Sequence, residues 1–159
     1  MTFDSKELIE TVQKKVAELN LPVPPKPATD DTEMQLPADP SLLTSTALAQ
    51  KLMRASSWFG YVQRLIGVLE SELVLLNAEY KIKVNVLGIP VRNKLGKQNK
   101  EVIESIVLSE NKDIMPLYTR IQELTSIRET LNSRMEIYHK FYAALSREQS
   151  RRESESRVN

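Results

Sequence analysis

Apolar residues recur in this chain in alternating steps of four and three over long distances. The first run is Leu48, Leu52, Ala55, Phe59, Val62, Ile66, Leu69, Leu73, Leu76 and Tyr80. Such a repeat returns to one side of an α-helix and does not suit a strand, whose side chains alternate with a period of two. Sustained over this length, it is the a/d seam of a left-handed coiled coil. Thr44, Ser45 or Thr46 supplies an oxygen to cap its start, which predicts a helix over 44–84. Trp58 and Leu65 sit beside the seam and widen its apolar face. A second run follows: Ile114, Leu117, Ile121, Leu124, Arg128, Leu131, Met135, Tyr138, Tyr142 and Leu145, in which only Arg128 breaks the apolar rule. Asp113 is its expected N-cap, and Pro116 falls in the first turn, where a missing amide matters little. This helix is expected over 113–150. Two long helices joined by an insertion predict an all-α fold built on an antiparallel helical hairpin. Its core or subunit contacts are assigned to Trp58, Phe59, Ile66, Leu69, Leu73, Leu76, Ile121, Leu124, Leu131, Met135, Tyr138 and Tyr142. Two helices alone make a thin core, so a homo-oligomer is expected.

The remaining segments are shorter. Val102, Ile103, Ile106 and Val107 mark an inserted amphipathic helix over 97–109. Leu8, Val12, Val16 and Leu19 predict a helical arm within residues 1–20, capped by Asp4 or Ser5. Between arm and first seam lies a linker over 21–43. It holds Pro22, Pro24, Pro25, Pro27, Pro37 and Pro40, together with Asp30, Asp31, Glu33 and Asp39. Proline removes amide donors and restricts its predecessor, so an extended, semi-rigid linker is expected; the alternative is an ordered strap packed across the domain. The helical oligomerisation domain then occupies 44–150. Residues 151–159 are expected to run from frayed helix into a disordered tail.

Covalent chemistry is poorly provided for. The chain has no Cys and one His, which removes disulfide frameworks, zinc fingers and thiol nucleophiles together, and its 4 Gly argue against a turn-rich β-sandwich or a glycine-lined nucleotide fold. His139 lies beside the second seam and reads as a flank residue. Gly96-Lys97 lacks both the upstream glycine and the following Ser/Thr of a phosphate-binding loop. The expectation is a protein that is not an enzyme and uses neither metal nor cofactor. No stretch approaches 18 uninterrupted apolar residues, and Met1–Glu7 lacks a signal-peptide layout, so no membrane association and a cytoplasmic location are expected.

The formal net charge of +1 hides a division. Residues 1–40 carry four basic and eight acidic side chains, a balance of −4, so the remainder carries +5. Within that remainder, Tyr80 to Lys100 contains Lys81, Lys83, Arg92, Lys94, Lys97 and Lys100 and no acidic residue. An uncompensated basic run attracts phosphate in a salt-dependent manner. Breaks expected at Gly88, Pro90 and Gly96 would let it bend round a flexible ligand. Tyr80 is the only ring nearby, so base stacking contributes little and binding should be independent of sequence. These six residues are the candidate nucleic-acid contacts. The competing reading is a solvated connector whose lysines keep it soluble.

Three elements of the chain resemble the UvsY-type recombination mediator proteins of T4-like bacteriophages. One is Trp58 in the first long helix, followed by Tyr80-Lys81-Ile82-Lys83. Another is Val107-Leu108-Ser109-Glu110-Asn111-Lys112-Asp113, close to that family's junction before its last helix. The third is the last helix with Ser146-Arg147 to Arg152 at its end. The likeness covers roughly 45–150; the arm and proline linker have no counterpart, and the stretch from Gly88 to Lys97 departs from the family's Gly- and Asp-containing segment. The resemblance implies single-stranded DNA binding and assembly into a ring such as a heptamer. It also implies a role in helping a RecA-like recombinase displace single-strand-binding protein. It assigns DNA contact to Lys81 and Lys83, assembly to the seam from Ile114 to Leu145, and the host-cell cytoplasm as location if the chain is phage-encoded. The charge division gives the acidic arm two readings, contact with a basic face of either partner protein or cover for the basic window. The rival function is a coiled-coil structural or adaptor protein of virion-scaffold or helicase-loader type.

Overall fold

The structure, a computed structural model, describes residues 4–28, 37, 39–96 and 98–158, the last by its backbone alone. Among these residues every regular element is helical: α1 (Ser5–Glu18), α2 (Ser45–Leu95), α3 (Lys100–Glu110) and α4 (Met115–Val158), with single 3-10 turns at Pro40–Leu42 and Lys112–Ile114. None of these helices is long and apolar enough to cross a membrane. Contacts divide the chain into two compact units, one of residues 1–21 with 68–128, the other of residues 22–67 with 129–159.

In the second unit, Leu48, Leu52, Ala55, Val62 and Ile66 of α2 are buried with Tyr138, Phe141 and Leu145 of α4. Trp58 and Phe59 pack on this cluster, as do Leu131 and Met135. The Trp58 ring lies 6.0 Å from that of Tyr138 and edge-on to that of Tyr61 at 6.1 Å. Thr44 caps α2, its Oγ1 accepting the Ala47 amide at 3.2 Å. Pro24, Pro25 and Pro27 lie against Met53, Arg54 and Ser57. The first part of the linker thus borders a cavity together with α2. Asp30, Asp31 and Glu33 lie outside the described residues.

Two sequence expectations fail in this unit. Tyr142 is 43% exposed, and Phe141, at 2%, fills the packed position. The step after Tyr138 is three, not four. Phe141 carries no polar atom, whereas burying Tyr142 would take a hydroxyl from water without a designated partner. The tail beyond Ser150 also continues as helix to Val158. Arg151 pairs with Glu148 at 2.8 Å and with Glu155, and Arg152 pairs with Glu148 at 2.6 Å, so one-turn ion pairs carry α4 onward. Arg152 also donates to the carbonyls of Pro40, Ser41 and Leu43 at 3.3, 3.1 and 2.7 Å.

In the first unit, Leu73 and Leu76 of α2 are buried with Ile121 and Leu124 of α4, and Leu69 and Ile9 pack on them. Next to α3, Val84 and Val91 are buried with Ile103, Val107 and Ile114. Ile9 is thus the apolar residue that α1 packs on this cluster, beside buried Ser5 and with Val12 half-buried. Leu8, Val16 and Leu19 of the expected stripe are exposed. Here too an expected break is absent. Helix α2 runs through Gly88 and Pro90 to Leu95, although Pro90 gives up one amide bond to the Val86 carbonyl. Packing against α3 compensates. A Cβ on Gly88 would meet Ile103 Cγ2 at 2.9 Å, so the glycine is where α3 comes close, not a hinge. Gly96, at φ 72°, ends the helix, its amide donating to the Arg92 carbonyl at 2.9 Å. Helix α3 then starts at Lys100, with Asn99 in the N-cap position but its side chain making no capping bond.

Candidate nucleic-acid interface

Four of the six candidate cations lie on α2, and the helix decides which of them act together. Lys81 and Arg92 are eleven residues apart, as are Lys83 and Lys94. At 3.6 residues per turn that is just over three turns, so each pair shares one side of the helix at a spacing of about 16 Å. Lys81 and Lys83, two residues apart, point about 200° from each other. The basic window is therefore two ridges flanking the packed face of Val84 and Val91, not one continuous patch. All four residues are exposed, as is Lys100 at the start of α3. Lys97 lies outside the described residues.

The ridges are not equivalent. Lys83 donates to Glu79 Oε1 one turn earlier in a short ion pair. Glu79 Oε2 in turn accepts the backbone amide of Ser5, at the start of α1, at 3.2 Å. Glu79 is 8% exposed. Burial pushes its carboxyl up, but hydrogen bonds from Lys83 and Ser5 outweigh that and hold it below the usual carboxylate range. One carboxylate thus ties the arm to the lysine that the sequence assigns to DNA. The Lys81–Arg92 ridge holds the cations better placed for phosphate. Glu79 stands one residue before the acid-free window and escaped the sequence reading, although a Glu four residues before a Lys on a helix is the standard signal of such a pair.

Tyr80 is engaged elsewhere. Its hydroxyl donates to Glu104 Oε1 at 2.7 Å, and its ring lies 5.8 Å from that of Tyr118. Burial, then the Glu104 bond, pushes the phenol above its ordinary range. The ring is not held free for a base. At the end of α4, Arg151 and Arg152 are committed to carboxylates, and Glu148 is held down to about 2, chiefly by its hydrogen bonds from Arg151 and Arg152. His139 stands beside Phe59, the rings 6.2 Å apart. Among the described residues no cluster of three or more His, Asp or Glu side chains is gathered for a metal. The arrangement offers exposed point charges on rigid helices and suits contact with a polyanion. Comparison of the chain with protein-family models, curated proteins and solved structures finds no match.

Proposed function

We propose that this chain is a non-catalytic, homo-oligomeric single-stranded DNA-binding protein that helps load a RecA-like recombinase onto DNA covered by single-strand-binding protein. The observation that carries the reading is the Lys81–Arg92 ridge, exposed on α2 in a stretch of 81–95 that has no acidic residue. The likeness of the Trp58, Tyr80–Lys83 and Val107–Asp113 elements to the recombination mediators supplies the recombinase and the displaced protein. In this reading α2 and α4 form an antiparallel hairpin, and the cations hold the phosphate backbone by releasing condensed counterions. The bases stay uncommitted, because the nearby ring of Tyr80 is occupied by Glu104 and Tyr118.

The test is fluorescence anisotropy of a labelled single-stranded oligonucleotide across a salt series. Binding should be tightest at low salt and fall log-linearly as salt rises. Absence of binding at low salt overturns the reading in favour of a structural or adaptor protein. The Lys83–Glu79 pair and the committed arginines of α4 favour that rival, because each withdraws a cation from a nucleic-acid role.

A further inference from the structure

The arm and Lys83 share one acceptor. Glu79 takes the Ser5 amide on Oε2 at 3.2 Å and pairs with Lys83 through Oε1. The two contacts are coupled by burial. Glu79 is 8% exposed, and Ser5, which rests against it, is 5% exposed. With α1 in place the carboxylate is shut off from water, so its pull on Lys83 is poorly screened. Two charges near a protein surface attract about four times as strongly as the same charges in bulk water. With α1 lifted, Glu79 becomes a solvated partner one turn from a lysine, and such pairs hold weakly. Lys83 itself stays open to a ligand, since its side chain is 46% exposed. It is occupied rather than covered.

The arm is held only at its start. Ser5, Ile9, Val12, Val16 and Leu19 recur at steps of four and three along one side of α1. Ser5 and Ile9 meet α2, but Val16 is 53% exposed, Leu19 64% and Leu21, just after the helix, 61%. A segment with so few buried contacts opens at low cost. We propose that docking of α1 withholds Lys83 from phosphate through Glu79, and that release of the arm turns Lys83 and Lys94 into a second working ridge. The arm acts here through one backbone amide and the cover it gives a carboxylate, not through its acidic side chains. This deepens the single-stranded DNA reading and rests on it for the phosphate ligand alone.

Proline suits the first position of a helix and has no amide to donate. Asp4 is already extended and caps α1 through the Lys6 amide, so Ser5→Pro removes the bond to Glu79 and keeps the helix. Ile9→Gln in the same full-length chain takes away the apolar anchor without adding charge, and protease cleavage at Lys14 and Lys15 verifies that the arm is off. Amine acylation read by mass spectrometry then follows Lys83, with Lys81 as internal reference. The double variant should label Lys83 several-fold faster at an unchanged Lys81 rate; an unchanged Lys83 rate overturns the proposal. Anisotropy with a labelled single-stranded oligonucleotide should show binding about fivefold tighter at about 0.1 M salt than wild type, with a salt slope steeper by about 0.7. In a Lys83→Ala background the same two changes should add nothing. Unchanged affinity in the double variant, or a gain that persists without Lys83, overturns the proposal. Faster labelling with no oligonucleotide binding by any of the proteins sinks the function and leaves the Glu79 link standing, and binding with unchanged labelling does the reverse.

Discussion

The backbone amide of Ser5 donates to the side chain of Glu79 across 74 residues of sequence, at 3.2 Å. That bond and the packing of Ile9 beside Leu73 and Leu76 fix the start of α1 on α2. Removing the carboxylate leaves a buried amide without its acceptor, at about 1–3 kcal/mol. Glu79→Ala should therefore lower Tm by several degrees and make α1 cleavable at Lys14 and Lys15 by a protease that spares them in wild type. The pH dependence has a definite sign. A carboxyl held below its usual 4.5 contributes fully above that pH and loses its contribution as pH falls through the lowered value. The Tm difference between wild type and Glu79→Gln should be constant near neutrality and shrink below about pH 4.5. A difference that grew on acidification would show that Glu79 is not the anchor.

The two ridges should respond differently to salt. Replacing Lys81 and Arg92 with Ala removes two free cations and should lower the salt slope of single-stranded DNA binding by about 1.4, at about 0.7 for each lost phosphate contact. Replacing Lys83 and Lys94 should lower it by closer to 0.7, because Lys83 is already paired with Glu79. Equal slopes for the two double variants would mean that the ion pair opens on binding.

In the second unit, Phe141 and Tyr142 are neighbours with opposite fates. Phe141→Ala removes a ring that is 2% exposed and should cost about 3–5 kcal/mol. Tyr142→Ala acts at a site 43% exposed and should change stability by less than about 0.5 kcal/mol. Urea denaturation of the two variants measures both. The reverse order would restore the heptad register that the sequence suggests.

Most of the helical framework was legible because hydrophobic period and caps act locally. Thr44 does cap α2, and Leu73, Leu76, Ile121 and Leu124 are buried where the seams place them. The misses have a common cause. Pro90 and Gly88 read as breakers because their preferences are local, but α3 packs against that stretch and overrides them. Tyr142 looked like a seam residue because the 4–3 rule cannot register the polar end of its ring. The basic window looked uniform because a linear count of charge ignores the 200° between Lys81 and Lys83 and the carboxylate one turn before Lys83. The arm's contact with Leu73 and Leu76 was missed because a short 14-residue helix does not fix its own facing, and only its partner selects Ile9 over Leu8.

The glycines of α2 separate local propensity from packing. Around Gly67 nothing lies within 4 Å of an added Cβ, so Gly67→Ala should stabilise by about 0.5–1 kcal/mol through helix propensity alone.

At Gly88 the same change brings the Cβ to 2.9 Å from Ile103 Cγ2, a branch methyl on a residue that is 2% exposed. That methyl sits next to the backbone and does not swing aside, so α3 must move. Overpacking of this kind costs about 1–3 kcal/mol and outweighs the propensity gain. Gly88→Ala should therefore lower Tm while Gly67→Ala raises it. Adding Ile103→Ala to Gly88→Ala removes the clashing methyl, so the double variant should be more stable than the sum of the two single losses predicts. Thermal melts of the four proteins give that coupling directly, and strict additivity would mean that α3 does not rest on Gly88.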